Sequence, residues 1–432
     1  MMTKIPHLVG LSLTVSLLVV GCRSQPSPPP TAAVQPGDTI TILGTLTGVG
    51  ETKLRAALAP FTEATGVEII YEGTDAFTTL IPVRVDSGNP PDMALFPQPG
   101  LMLDFAEAGQ MVPITDFIDR TTLAAAYDEY LINLVSLDNN VYGLWMRADV
   151  KSLVWYNPQA FAAKGYTVPE TWAELQALSD RIVADGSKPW CIGMESGQAT
   201  GWVGTDWVED ILLRQAGPAV YDQWVNHDIP FADPQVKAAF ETFGAIVRNP
   251  DYVLGGTTGV LSTPFGEAPL PLFKDPPGCY LHRQASFIVE FLPDSVEPGI
   301  NLSVFPLPPI DPAQGNAVIM GGIVFGVFKD TPAVRALMTY LATAEPHTIW
   351  AGLGSYISPH RQVNLDAYPD DLTRRQAEIL RNADVLRFDG ADLMPGAIGT
   401  GAFWSGIVDY VDGQDLDTVL KDIDAAWPPD AE

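Results

Sequence analysis

Cysteine is scarce in this chain, three residues in 432, which excludes a disulfide-dense miniature scaffold. Positive charge is scarce too. Lys and Arg total 24 against 52 Asp and Glu, a formal charge of −28. Phosphate backbones are held by clustered cations, so nucleic acid is excluded as a partner. Of the five histidines, His227, His282, His347 and His360 lie beyond the N-terminal segment, and no pair has metal-ligand spacing. Cys191 and Cys279 have no CxxC neighbour, so neither a metal nor a cofactor is expected. There is no Gly-Lys-Ser/Thr loop, no Gly-x-Ser-x-Gly elbow and no His-Glu-x-x-His. Gly48-Val-Gly50 lacks the last glycine of a dinucleotide loop, because Lys53 stands near that place; it is an ordinary strand–helix turn. No period of 20–50 residues repeats, which argues against solenoids and propellers.

What is present is ample apolar material. Hydrophobic residues make up 47% and charged residues 18%, so a sizeable core is expected and global disorder is not. The length suits two or three domains.

The N-terminus carries one Lys before Leu8–Gly21, an uncharged and mostly apolar run. It falls short of the ~20 residues a membrane-spanning helix needs, but suits a signal h-region. Val19-Val20-Gly21-Cys22 resembles the lipobox of bacterial lipoproteins. That resemblance implies a signal peptide over residues 1–21, cleavage before Cys22, and a lipid on its sulfur. The competing account is an ordinary cleaved signal with an incidental cysteine. Arg23–Gly37 (RSQPSPPPTAAVQPG) cannot bury a core and reads as an extended tether of about 45 Å at most. Residues 22–37 are thus a lipidated cysteine plus stalk, and the protein is expected in the periplasm or cell envelope, anchored to the membrane. In an oxidising compartment, Cys191 and Cys279 pair by default, closing a loop worth about 4–5 kcal/mol in the chain-entropy account. Two buried free thiols are the alternative.

The body alternates strands and helices. Thr39–Leu43 is a β-branched strand, and Glu51–Thr65 follows with Leu54, Ala57, Leu58 and Phe61 on one face. Val67–Tyr71, a helix near Phe77–Asp86, Met93–Phe96 and a helix over Leu101–Ala108 continue the alternation. The rhythm predicts an α/β architecture with a parallel sheet, ligands gathering beyond the carboxyl ends of its strands. Val141–Met146, Ser152–Tyr156 and the Gly-interrupted run Gly315–Phe328 are further strands.

Ten tryptophans are the informative group, several of them in Gly-rich or polar sequence. Trp202-Val-Gly-Thr-Asp206-Trp207 follows Glu195-Ser-Gly-Gln-Ala-Thr-Gly, and Tyr280-Leu-His282 follows Pro276-Pro-Gly-Cys279. Indole faces take sugar C–H groups, and carboxylates, amides and guanidinium take hydroxyls. For any single Trp, core packing is the simpler expectation.

Ser152-Leu-Val-Trp-Tyr156-Asn157 after Tyr142-Gly-Leu-Trp145, then Pro169-Glu-Thr-Trp172, resembles the crossover of periplasmic sugar-binding proteins of ABC importers. Met394-Pro-Gly-Ala-Ile-Gly-Thr-Gly-Ala-Phe403-Trp404 is similar to the closing stretch of maltose-binding proteins. Trp145 through Trp207 and Cys279–Phe287 look most like α-glucoside-binding members, whose ligands include sucrose, trehalose, maltose and glucosylglycerol-type compatible solutes. The resemblance covers nearly all of Asp38–Trp427. It implies a type II two-lobed α/β periplasmic-binding-protein fold with a ligand cleft between lobes. Lobe 1 would be 38–149 plus 320–365, and lobe 2 would be 150–319 plus 366–432. It further implies a monomer that captures a small carbohydrate by hinged closure and passes it to permease subunits without catalysis. Hinges are expected at Asp149–Ser152 and Gly321-Gly322. Carried over by position, Trp404 takes the sugar-stacking place and Glu195 lies near a lobe 2 carboxylate. Tyr280 and His282 fall where maltose binders have a Trp, which favours a smaller ligand. Trp145, Trp202 and Trp207 are further candidate walls. Asp75, Glu195 and Asp206 are candidate hydroxyl acceptors, and Arg361 and His282 candidate donors. The alternative function, an exported glycoside-acting enzyme, rests on carboxylate pairs, which 52 acidic residues supply by number alone. An adhesin or scaffold that only displays a surface is a third possibility.

The lipobox resemblance makes a direct prediction. Cys22→Ala should release or mis-process the protein. A variant that stays in the membrane fraction at wild-type size would contradict lipidation at Cys22.

Overall fold

The computed structural model describes Met1 and residues 33–428. The signal segment, Cys22 and the tether up to residue 32 lie outside the described residues. The body from Val34 onward forms one compact unit. Among the described residues, no helix is long and apolar enough to cross a membrane.

In chain order the strands are β1 (Thr39–Gly44), β2 (Glu68–Gly73), β3 (Met93–Phe96), β4 (Ser136–Leu137), β5 (Asn140–Val141), β6 (Gly143–Val150), β7 (Leu153–Tyr156), β8 (Lys188–Trp190), β9 (Cys279–Arg283), β10 (Ser303–Pro306), β11 (Ala317–Val327) and β12 (Val385–Phe388). β1 starts in a β-branched run and pairs in parallel with β2 from Thr39↔Glu68 to Gly44↔Gly73. Between them runs the helix Gly48–Thr65, burying Leu54, Ala57, Leu58 and Phe61 at the spacing the sequence shows. It stops where Gly66 turns left-handed (φ 71°) and donates its N–H to Thr62 O, the usual glycine stop.

The first sheet has the order β12-β11-β3-β1-β2, with β6 also paired to β11. The expected parallel pairing holds for β1, β2 and β3; the sheet as a whole is mixed. β11 runs antiparallel to both β3 and β6, while β12 is parallel to β11. The long strand follows β10 of the second sheet in the chain and runs against the direction of β3. β12 begins at Val385, outside the 320–365 range expected for lobe 1, yet hydrogen-bonds to β11 from Ala317↔Val385 to Met320↔Phe388. A second sheet has the order β10-β7-β9-β8.

Two apolar clusters follow, and β7 and β11 stand between them. Leu153 and Trp155 pack into the first cluster and Val154 into the second; Val318 and Met320 join the first, Ala317 and Ile319 the second. The strand period of two thus feeds two cores from one segment. The helix Trp202–Ala216 is enclosed over Val203–Arg214, including Asp206, Glu209, Asp210 and Arg214. A helix buried all round with four ionisable groups must pair each of them inside.

Cys191 and Cys279 are joined by a disulfide, with Cα atoms 5.6 Å apart and a sequence separation of 88. Beside it the imidazole Nδ1–H of His282 donates to Cys191 O at 2.9 Å. Burial, assisted by the Arg283 charge and opposed by that carbonyl, lowers the His282 pKa to about 4. Burial and neighbouring His360 lower His347 to about 3.

Two predictions follow from this packing. Replacing Cys191 and Cys279 with Ser should cost about 4–5 kcal/mol in urea unfolding; two alkylatable thiols in native exported protein would sink the crosslink. The second concerns pH. Unfolded histidine titrates near 6.5, so below that the unfolded chain binds protons that His282 and His347 refuse. Their contribution is complete above pH ~6.5 and is lost as pH falls through about 4 and 3, by up to about 1.4 kcal/mol per pH unit for each. The Asp206 carboxyl, raised by burial to about 7 despite Lys151, acts in the opposite sense. The histidine contribution is therefore read as a difference. His282→Gln should lose stability less steeply than wild type between pH 6.5 and 4, and equal slopes would contradict a buried neutral imidazole.

Candidate functional site

The carboxyl ends of the parallel strands meet one cavity, of about 210 Å³. Thr45, Leu46 and Thr47 follow β1, Asp75 follows β2, and Pro97 and Gln98 follow β3. From β6 come Arg147 and Asp149, and Lys151 sits in the turn to β7. The facing wall is aromatic: Trp202 at the start of its helix, Phe265, Phe287 and Phe291, and Trp404. Asp389 and Asp392 reach the cavity from the segment after β12.

Local geometry explains the wall. Gly201 has φ 122°, and a Cβ there would lie 2.3 Å from Trp404 O. Only glycine lets the two Trp-bearing segments approach this closely. Trp404 ends a π-helical turn, Ala397–Phe403, and begins the helix Trp404–Asp412; wide turns of this kind recur at functional sites. Trp202 makes an edge contact with Phe265 at 5.2 Å and a tilted contact with Phe287 at 5.9 Å.

Beneath the cavity lies a buried ionic cluster. Lys151 Nζ is 2.5 Å from Asp389 Oδ2, 3.0 Å from Asp206 Oδ1 and 3.6 Å from Asp392 Oδ2. Burial opposes its charge, but these carboxylates outweigh burial and hold the ammonium well above its usual pKa. Burial drives the carboxyls of Glu209 and Asp392 well up, helped by Asp389. Asp389 itself stays low: burial is overcome by Lys151 and hydrogen bonds. Arg283 is 2.9 Å from Asp210 Oδ2 and 3.4 Å from Asp206 Oδ2, and Arg214 also pairs with Asp210. Oxygens of Asp206, Glu209 and Asp389 lie within 4.8 Å of one another, a spacing a cation could use. Lys151 and the N–H groups of Gly390 and Ala391, which donate to Glu209 at 2.9 and 3.1 Å, already fill that cluster. Protein donors thus take the place a metal would need.

The sequence candidates divide sharply. Asp75, Trp202 and Trp404 line the cavity. Glu195 precedes the lining residue Ser196, and its Oε1 accepts the Gly197 N–H at 2.8 Å. Asp206 lies under the floor on Lys151. The remaining expectations are corrected in position. Trp145 is buried behind Gly322, donates its Nε1–H to Leu131 O at 2.7 Å and packs on Phe388. Trp207 is wedged between Trp190 and Phe243. Tyr280 packs edge-on against Tyr166 in the second core. His282 is turned to Cys191. Arg361 is on the surface, 2.7 Å from Asp128. Apolar burial claimed the aromatics, and an exposed ion pair with Asp128, far away in sequence, claimed the arginine.

Sequence reasoning missed Gln98, Arg147, Asp149, Lys151, Phe287, Glu290, Asp389 and Asp392. One signal was legible. Arg147, Asp149 and Lys151 alternate through an otherwise apolar strand and its turn, placing charges on one face of a buried element. Among the described lining residues, Gln98 Oε1, Arg147 Nη1 and Trp404 Nε1 are buried without a hydrogen-bond partner.

Residues 44–347 match the model of the bacterial extracellular solute-binding proteins. The chain is 56% identical over 389 residues to the osmoprotective compounds-binding protein GgtB of Synechocystis sp., covering 90% of this chain and 92% of that protein. It is 43% identical to the alpha-glucosides-binding periplasmic protein AglE of Rhizobium meliloti, covering 90% and 87%. Among solved structures, the solute receptor AcbH superposes with a TM-score of 0.78 at 19% identity, and a chitin oligosaccharide binding protein with 0.77 at 18%; each comparison covers 90% of this chain and 98% of the other. These likenesses establish the two-lobed type II periplasmic-binding fold. By the matched model and the two relatives, the chain belongs to the bacterial extracellular solute-binding protein family.

Proposed function

We propose that this chain is the lipid-anchored substrate-binding component of an ABC sugar importer. It captures a small α-glucoside, a disaccharide or a glucosylglycerol-type compatible solute, and delivers it to the permease without chemistry. One observation carries this reading: three buried polar atoms, Gln98 Oε1, Arg147 Nη1 and Trp404 Nε1, lack partners around an aromatic-walled cavity. A buried unpaired polar group costs about 1–3 kcal/mol, and a polyhydroxyl ligand supplies both donors and acceptors. The names of the two relatives, one for osmoprotective compounds and one for alpha-glucosides, support the same class.

In this proposal Trp202 and Trp404 hold the glucosyl ring, Asp75 and Asp392 bond its hydroxyls, Arg147 donates, and Gln98 accepts. Glu195 approaches from the rim. Lobe 1 is 38–149 plus 320–365, and lobe 2 is 150–319 plus 366–432. Closure turns on Asp149–Ser152 and Gly321-Gly322, a few torsions at element ends.

A thermal-shift panel of about twenty sugars and compatible solutes tests the class, since a ligand at 100 Kd stabilises by about 2.7 kcal/mol. Calorimetry then tests the site. Trp404→Ala should weaken binding about 30-fold or more, at ~2 kcal/mol for a buried aromatic anchor. Asp75→Asn should cost about 1–3 kcal/mol. Wild-type affinity in both folded variants would overturn the assignment. Turnover of a nitrophenyl α-glucoside that survives purification and vanishes with one carboxylate substitution would favour the enzyme instead.

A further inference from the structure

The cavity's cations are already spoken for. Among the described lining residues they are Arg147 and Lys151, against the carboxylates of Asp75, Asp149, Glu290, Asp389 and Asp392. Lys151 is enclosed by Asp206, Asp389 and Asp392. Arg147 is different. Its Nε–H donates to Asp149 Oδ2 at 3.0 Å, its Nη1 lies 4.0 Å from Glu290 Oε2, and that same Nη1 has no hydrogen-bond partner. The guanidinium also lies over the Phe287 ring at 5.7 Å. It is 6% exposed and so fixed in place. Glu290 is further paired with Lys53 at 3.5 Å.

A guanidinium beside a glucoside site would ordinarily attract a carboxylate or phosphate, and pair with it in two-pronged fashion. Here two carboxylates flank the group, and the N–H groups of Nη1 are left for a ligand oxygen. We propose that Glu290 and Asp149 set the charge specificity of the cleft, holding Arg147 as a donor to a neutral ligand oxygen and excluding anionic glucosides. Glu290 is the specificity-determining residue of the pair. Asp149 is bound into the strand junction through Ser286, whose Oγ–H donates to it at 3.4 Å, whereas Glu290 meets Arg147 only across 4.0 Å. The inference rests on the proposed glucoside site and deepens it.

The test compares two probes that differ in one group, glucosylglycerol and the glucoside of glyceric acid. It uses wild type, Glu290→Gln and Glu290→Gln/Arg147→Gln, by calorimetry. Burial raises the Glu290 carboxyl above its usual range, so the comparison is made at pH 8. Wild type should bind the neutral probe and discriminate against the anionic one by at least tenfold, about 1.4 kcal/mol. Glu290→Gln should recover at least tenfold in affinity for the anion, and the double variant should lose that gain. Discrimination unchanged in Glu290→Gln, or a gain that persists without Arg147, would overturn the proposal while leaving the glucoside site standing. Failure of wild type to bind any neutral glucoside in the panel would remove the site itself and the proposal with it.

Discussion

A single buried ammonium organises this molecule. Lys151 sits at the turn between β6 and β7, and its charge meets carboxylates from two further segments. Asp206 comes from the enclosed helix, and Asp389 and Asp392 from the segment after β12. Taking an ammonium out of water is expensive, and the attraction of several carboxylates compensates only where geometry is tight. Three pieces of chain far apart in sequence are therefore held to one point. Ser152 continues the lock: its Oγ–H donates to Asp210 at 2.7 Å and its Oγ accepts the Ile319 N–H at 2.8 Å, tying the same turn to β11.

The cavity wall depends on that arrangement. Lys151 Nζ lies 5.7 Å over the Trp202 ring, so the cation that anchors the floor also steadies one aromatic wall. Burial and Asp389 push the Asp392 carboxyl well above its usual range, and it lines the cavity beside Lys151. Most of the cavity's charges are paired within the protein, and donors and acceptors such as Arg147 Nη1 and Gln98 Oε1 remain unpartnered between indole and phenyl faces. Such a site suits hydroxyls, whose bonds to fixed groups replace water without bringing a new charge into low dielectric.

Local patterns in the sequence were faithful wherever backbone propensity and periodicity decide. The β1–helix–β2–helix–β3 rhythm, the Gly66 stop and the long strand at Gly315–Phe328 follow from β-branching, the 3.6-residue apolar face and glycine's left-handed freedom. Asp75 was legible as a residue following the second strand, whereas Trp202 stood out by its Gly-rich, polar setting and Trp404 was carried over from the family resemblance.

Side-chain destinations were another matter. Trp145, Trp202, Trp207 and Trp404 are chemically equal in sequence, and only packing sends Trp145 and Trp207 into cores and the other two to the cavity. Arg361 had the right chemistry and found Asp128 on the surface, while Arg147, unremarked in the sequence, was enclosed beside Asp149. The sequence by itself determined the α/β class, the order of the first strands and helices, and the family to which the aromatic and glycine motifs point. The tertiary structure alone decided which charges meet, because ionic pairing inside a protein depends on distances of a few ångströms between segments hundreds of residues apart, and no local pattern encodes those.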